Sequence, residues 1–141
     1  MNKQSLPVVA LTLGDPAGIG PELIARLLAR PGITVETNIV LVGDPWLWED
    51  GQRIAGLSVA TDEVKTLAEV RGRGDTARPA FLAVQSIDPA LVERGVAAAP
   101  AGRAVLKVLD RCMDATLAGE VDAICFAPLN KQAMKIGRHA A

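Results

Sequence analysis

Tyrosine is missing from the sequence, and two phenylalanines and two tryptophans hold the aromatic share to 3% of 141 residues. A nucleic-acid surface built on stacking side chains has little to draw on, and no basic stripe with interleaved aromatics is visible. Neither sign of charge is in excess: 15 Lys and Arg stand against 16 Asp and Glu, a net of -1. That balance removes the electrostatic case for nucleic acid as a partner but leaves room for a local pocket that binds a small anion. Histidine occurs once, at His139, and cysteine twice, at Cys112 and Cys125, without CxxC spacing. No zinc cluster is expected from such a set. Both thiols lie in apolar segments, so the expectation is two buried, free cysteines in a reducing cytoplasm. No apolar run reaches membrane-spanning length, and residues 1–5 lack signal-peptide character. Internal repeats, low-complexity tracts and a Ser/His/Asp arrangement are absent as well.

What is present is aliphatic. Half of the residues are hydrophobic, enough for one domain with a core. Residues 7–13 (PVVALTL) and 38–42 (NIVLV) form continuous β-branched and aliphatic runs, the pattern of buried strands in a parallel sheet. Each run passes straight into a turn with proline at the next helix's first position: Gly14 to Gly20 before Pro21, and Gly43-Asp44 before Pro45. The first helix is expected from Pro21 to about Ala29, with Leu23, Ile24, Leu27 and Leu28 inward and Glu22 favouring its positive end. The second is expected over 46–54 with Asp44 as N-cap. Residues 57–99 are less regular: a short helix over 61–70, a polar loop at 71–75 bearing Arg71 and Arg73, and a strand over 80–84. Arg78 is read with them as loop decoration. A long helix follows over 101–118, with Ala104, Val105, Val108, Leu109, Cys112 and Met113 at helical spacing and Gly119 as its stop. Residues 121–127 read as another buried strand, 128–131 as its exit turn, and 132–136 as the start of a helix. Alternating strand and helix patterns of this kind give an α/β protein: three layers, α/β/α, around a mostly parallel sheet.

Chemistry in such a sheet gathers at the carboxyl ends of the strands. Gly14, Gly18 and Gly20 permit close backbone approach there, and the following helix N-terminus offers free N–H groups. Pro21 removes one donor, and the spacing is neither a P-loop nor G-x-G-x-x-G. By pattern alone the turn serves equally as a tight structural connection or a ligand loop, with Asp15 and Glu22 as caps or as cleft residues. Asn130 and Lys131 leave a later strand end in the same way. Lys131 would bind an anionic substrate or assist proton transfer, while the residues alone favour Asn130 as a cap and Lys131 as solvated. Trp46 and Trp48 read as packing residues, and His139 as a solvated surface residue near the chain end.

Three segments in order carry a resemblance. Leu13-Gly14-Asp15-Pro16-Ala17-Gly18-Ile19-Gly20-Pro21-Glu22, Pro100-Ala101-Gly102-Arg103-Ala104, and Ala118 to Ile124 continuing to Ala127-Pro128-Leu129-Asn130-Lys131 resemble the 4-hydroxythreonine-4-phosphate dehydrogenase family. The first also resembles the shorter glycine motif of isocitrate and isopropylmalate dehydrogenases, which share the fold. The resemblance implies an isocitrate/isopropylmalate dehydrogenase-like fold, incomplete in this chain. Residues 1–141 would form the first α/β domain and the start of the second. It implies NAD-dependent oxidation (NADP being possible) of a phosphorylated hydroxy acid, with a β-keto acid able to lose CO2. The implied substrate is 4-phosphooxy-threonine in pyridoxal phosphate synthesis. Related family dehydrogenases act on 4-phospho-threonate, 4-phospho-erythronate or an aromatic cis-dihydrodiol. A divalent metal such as Zn, Mg or Co would polarise the oxygens, with its ligands outside this chain. The family forms homodimers. Asp15, Gly18, Gly20, Glu22, Asn130 and Lys131 are the residues placed at the substrate or cofactor cleft; no catalytic residue or metal ligand is assigned. The 141 residues by themselves are expected to be inactive, which leaves a non-catalytic α/β module as the alternative of another class. Apolar surface is expected where later strands would pair.

Overall fold

The structure is a computed structural model that describes residues 6–139; residues 1–5, read above for targeting, and 140–141 lie outside that range. Five parallel strands form one sheet in the order β3-β4-β2-β1-β5. The elements run β1 (Val8–Thr12), α1 (Gly20–Leu28), β2 (Asn38–Gly43), α2 (Pro45–Ala55), β3 (Asp62–Val64), α3 (Ala68–Arg71), β4 (Ala80–Ala83), a 3-10 turn (Pro89–Leu91), α4 (Ala99–Leu117), β5 (Ala123–Phe126) and α5 (Lys131–His139).

The period of two in a strand divides each apolar run between two cores. Val8, Ala10, Val40, Val42, Ala80 and Leu82 face α3 and α4, where Val70, Val108, Cys112 and Ala115 meet them. Leu11, Ile39, Leu41 and Phe81 face α1 and α2, where Ile24, Leu28, Leu47 and Trp48 meet them. A strand buried on both faces needs apolar residues at every position, which is why these runs do not alternate. Full burial of one such Leu or Val contributes roughly 1.5–3 kcal/mol. Among the described residues no helix is long and apolar enough to cross a membrane.

The chain steps outward from β1 to β2 and β3 through α1 and α2, then returns through α3 and α4 to β4 and β5. If each crossover is right-handed, reversing the direction of travel must move the helices to the other face. The two cores show that change of face.

Several sequence expectations are corrected. Residues 61–70 do not form one helix. Asp62–Val64 pairs with β4, Asp62 N–H donates to Pro79 O at 2.9 Å, and only Ala68–Arg71 is helical. β5 is an edge strand with most of its residues exposed, not a buried one; Cys125 is exposed, while Cys112 is buried. Among the described residues β1 alone pairs with β5, and α4 packs against it at partly buried Ile124. Leu23 and Met113 point outward, 41% and 53% exposed. Arg73 is no loop decoration. Its side chain is 10% exposed and donates to Asn38 Oδ1 at 3.2 Å, Asp62 Oδ2 at 3.1 Å and Arg78 O at 2.6 Å. Arg71 likewise holds Asp122 through two 3.1 Å bonds.

Candidate functional site

Two adjacent strand pairs send their chains to opposite faces, and each pair opens a crevice at the carboxyl end. β1 leads to α1 on one face, and β5 leads to α5, which packs on α4 on the other. β2 leads to α2, and β4 leads on to α4.

The β2/β4 crevice, about 620 Å3, is lined by Asp44, Pro45, Trp46 and residues 85–89. Asp44, Ser86 and Trp46 pair with neighbouring groups there. Asp44 occupies the N-cap position of α2, but its side chain makes no cap bond; it reaches the neighbouring turn instead. There Oδ2 accepts Ser86 N–H at 2.9 Å and Ile87 N–H at 3.2 Å, and Oδ1 accepts the Ser86 hydroxyl. Trp46 Nε1–H donates to Ile87 O at 3.1 Å. The segment so held runs on to Gly95, whose N–H donates to Ala17 O at 2.8 Å. A latch of this kind positions the first glycine turn and engages both carboxylate oxygens of Asp44.

The β1/β5 crevice, about 510 Å3, is different. It is lined by Asp15, Gly18 and Ile19 from the first turn and by Pro128, Leu129, Asn130 and Lys131 from the last. The turns are stitched together by Asp15 N–H to Pro128 O at 3.1 Å. Asp15 is 8% exposed, and its Oδ1 accepts Ala17 N–H at 2.9 Å. Its Oδ2 accepts nothing from the described residues. A Cβ on Gly18 would lie 3.5 Å from that oxygen, so a side chain there would cover part of the carboxylate. Asn130 Oδ1 accepts Ala133 N–H at 2.9 Å and so caps α5. Lys131 is exposed, and among the described residues it has no carboxylate within ion-pair distance.

Of the six residues singled out in the sequence, the structure brings Asp15, Gly18, Asn130 and Lys131 into one crevice. Gly20 lies beneath it: an added Cβ would stand 2.2 Å from Leu13 O and 2.9 Å from Ala127 Cβ, so its smallness serves packing. Gly14 does the same at φ +79°, where an added Cβ would stand 2.8 Å from Pro128 O. Glu22 occupies the first turn of α1 with one buried carboxylate oxygen that finds no partner among the described residues, but it does not line the crevice.

Sequence reasoning missed what holds Lys131 in place. Gly102 lets α5 pack on the backbone of α4; a Cβ there would fall 1.8 Å from Ala133 O. Gly137 repeats the contact one turn on, at 2.6 Å from Arg103 N. Paired small residues on the two helices were the available signal.

Among the described residues no group of three His, Cys, Asp or Glu could hold a metal ion. The crevice instead offers an acceptor carboxylate, a cation on the facing turn, and main chain uncovered at Gly18. That set suits a small molecule with a hydroxyl near an anionic group.

A family model described as pyridoxal phosphate biosynthetic protein PdxA matches residues 35–141. A curated relative in Rhizobium meliloti bearing the 4-hydroxythreonine-4-phosphate dehydrogenase name is 40% identical over 133 residues, 94% of this chain and 38% of its own. The D-threonate 4-phosphate dehydrogenase of Cupriavidus necator is 32% identical over 138 residues, 95% of this chain and 39% of its own. The crystal structure of a Burkholderia phymatum 4-hydroxythreonine-4-phosphate dehydrogenase superposes with a TM-score of 0.83 at 29% identity, covering 96% of this chain and 40% of that one. The chain therefore spans about two-fifths of the length of the relatives it matches.

Proposed function

Because the chain belongs to the family of the pyridoxal phosphate biosynthetic protein PdxA, we propose that it supplies the β1/β5 crevice of an NAD-dependent dehydrogenase acting on a phosphorylated hydroxy acid. The observation that carries this reading is the meeting of two turns more than a hundred residues apart: Asp15 and Gly18 face Asn130 and Lys131 across one opening. The substrate favoured is 4-phosphooxy-threonine, in keeping with the names of the relatives. A second reading, D-threonate 4-phosphate, is favoured by the name of the Cupriavidus necator relative.

In this mechanism Lys131 draws the anionic end of the substrate to the crevice. Its charge lies at the N-terminal end of α5, where the helix dipole adds attraction for an anion. Asp15 orients a hydroxyl by accepting its hydrogen bond through Oδ2, while Oδ1 stays on Ala17 N–H and fixes the carboxylate's angle. Gly18 keeps that oxygen reachable. Bound NAD would supply the acceptor for the hydride that leaves the carbinol carbon as the alcohol becomes a ketone, with the hydroxyl proton released to solvent. The divalent metal implied by the family has no fitting ligand set among the described residues, and none of them is given a role in holding it. The proposal includes a homodimer and takes the 141 residues alone to be inactive.

The test is NADH formation with 4-phosphooxy-threonine or D-threonate 4-phosphate and a divalent metal. It is run on this chain and on a protein carrying these residues at the relatives' full length. Turnover by the long protein alone is expected, and the better substrate decides between the two readings. No turnover of either substrate by the long protein would refute the reading, as would turnover by the 141 residues alone.

A further inference from the structure

We propose that a cavity under the exit turns of β1 and β2 is the site of one ordered water molecule that joins Thr12 to the Asp44–Ser86 latch. Thr12 is the last residue of β1 and points to the α4 face, as Val8 and Ala10 do. It is 2% exposed, and its hydroxyl finds no hydrogen-bond partner among the described residues. Buried hydroxyls are seldom left unpaired, so this one asks for a partner that is not a protein atom. A cavity lies against it, bounded by Thr12, Gly14, Asp44 and Ser86 on one side and by Val105 and Val108 of α4 on the other. It has room for a water-sized sphere over about 20 Å3; on the order of 10–15 Å3 suffices for one molecule.

The donor and acceptor count fits a water. Each carboxylate oxygen of Asp44 has two lone-pair positions. Oδ2 uses both, for Ser86 N–H and Ile87 N–H, whereas Oδ1 holds only the Ser86 hydroxyl. One acceptor position on Oδ1 is left. The Ser86 oxygen, having donated its hydrogen, also accepts. A water that receives the Thr12 O–H and donates to Asp44 Oδ1 and Ser86 Oγ makes three hydrogen bonds, the usual number for a buried water. The apolar side of the cavity would by itself favour a dry void; the orphaned hydroxyl decides against one.

The consequence reaches the crevice. Thr12 stands two residues before Gly14 and three before Asp15, and Asp44 stands at the start of α2. The water ties the exit turns of β1 and β2, as the Gly95–Ala17 bond ties the latched segment after β4 to the first turn. The water thereby braces the end of the strand that leads into Asp15.

Crystals of the protein diffracting to high resolution test this, together with buried-water contacts in NMR spectra of the native chain. The expected result is a density peak about 2.7–3.2 Å from Thr12 Oγ1, matched by a water contact to the Thr12 methyl. Thr12→Ser retains the peak and Thr12→Val loses it. A dry cavity that takes up xenon overturns the proposal. So does a peak replaced by rubidium with anomalous signal, which would mark a cation, or a Thr12 hydroxyl found bonded directly to a main-chain carbonyl. Because the native chain alone decides these outcomes, a variant that fails to fold does not obscure them.

Discussion

Arg71, Arg73 and Arg78 gather at the amino end of the strands, where Asp62 and Asp122 meet them; Asp15 and Lys131 share the crevice at the carboxyl end without pairing. Both ends hold aspartates and cations, but their states are opposite. Arg73 joins the starts of β2 and β3 through Asn38 and Asp62. Arg71 grips Asp122 with a two-bond fork, and that carboxylate also accepts Val8 N–H at 2.8 Å, so one acid holds the starts of β1 and β5. Paired charges lock a structure, whereas unpaired ones keep their capacity for a ligand. The contrast gives the amino end of the sheet a stabilising role and leaves the carboxyl end as the proposed binding end.

The largest effect expected from breaking that contrast is at Arg73. Truncation to alanine leaves Asn38 Oδ1 without its partner and removes a nearly buried guanidinium. Urea unfolding of Arg73→Ala should show a loss of about 2–3 kcal/mol, with ligand binding at the crevice unchanged. A loss under about 0.5 kcal/mol would show that the amino end is not a clamp. The opposite pattern is expected for Lys131→Met in the long protein. Removing one charged partner of an anion should lower kcat/KM roughly 10- to 100-fold, through the KM for the phosphorylated substrate, with stability changed by less than about 0.5 kcal/mol. If the KM for NAD rises instead, Lys131 serves the cofactor.

Legibility in the sequence follows the same division. The strands of the two cores could be read because a doubly buried strand writes itself as an unbroken aliphatic run, as at 8–12 and 38–43. β3 could not: Asp62, Glu63 and Val64 are three residues at a sheet edge, extended only because β4 pairs with them. The exposure of Cys125 was hidden for a related reason, since Ala-Ile-Cys-Phe has a central strand's composition and only the topology makes it an edge. Arg73 looked like a loop residue because its partners lie 11 and 35 positions away. At the crevice the two halves were each visible as strand-end turns, but their meeting depends on a strand order that no local pattern specifies. The Asp44 latch, 42 residues from Ser86, is of the same kind.

A smaller effect is expected in acid. The Arg71 guanidinium, and after it the Val8 N–H, hold the Asp122 carboxyl below its ordinary value of 3.8. A folded-state value lower than the unfolded one means that ionised Asp122 stabilises the fold above the ordinary value. That contribution is lost as pH falls through the folded value. The stability gap between the native chain and Asp122→Asn should therefore be widest above pH 3.8 and shrink below it. A gap independent of pH would mean that the fork is not electrostatic in its effect.

The smallest effect is a change in rate rather than in stability, and it follows the comparison locally. Cys112 lies in the core on the α4 face of the sheet, and burial pushes its thiol up to about 11. Cys125 is exposed on β5. Since only a thiolate that solvent can reach is alkylated readily, iodoacetamide near neutral pH should modify Cys125 in the folded chain and leave Cys112 until the local structure opens. The Cys112 rate then reports how firmly the core on the α4 face is held, which the amino-end pairs help to close. Arg73→Ala should raise it, by mass spectrometry of timed samples, and Lys131→Met should not. Equal acceleration by both would show that the ends of the sheet open as one unit, and the division between a locked end and a binding end would then be one of chemistry without a matching division in stability.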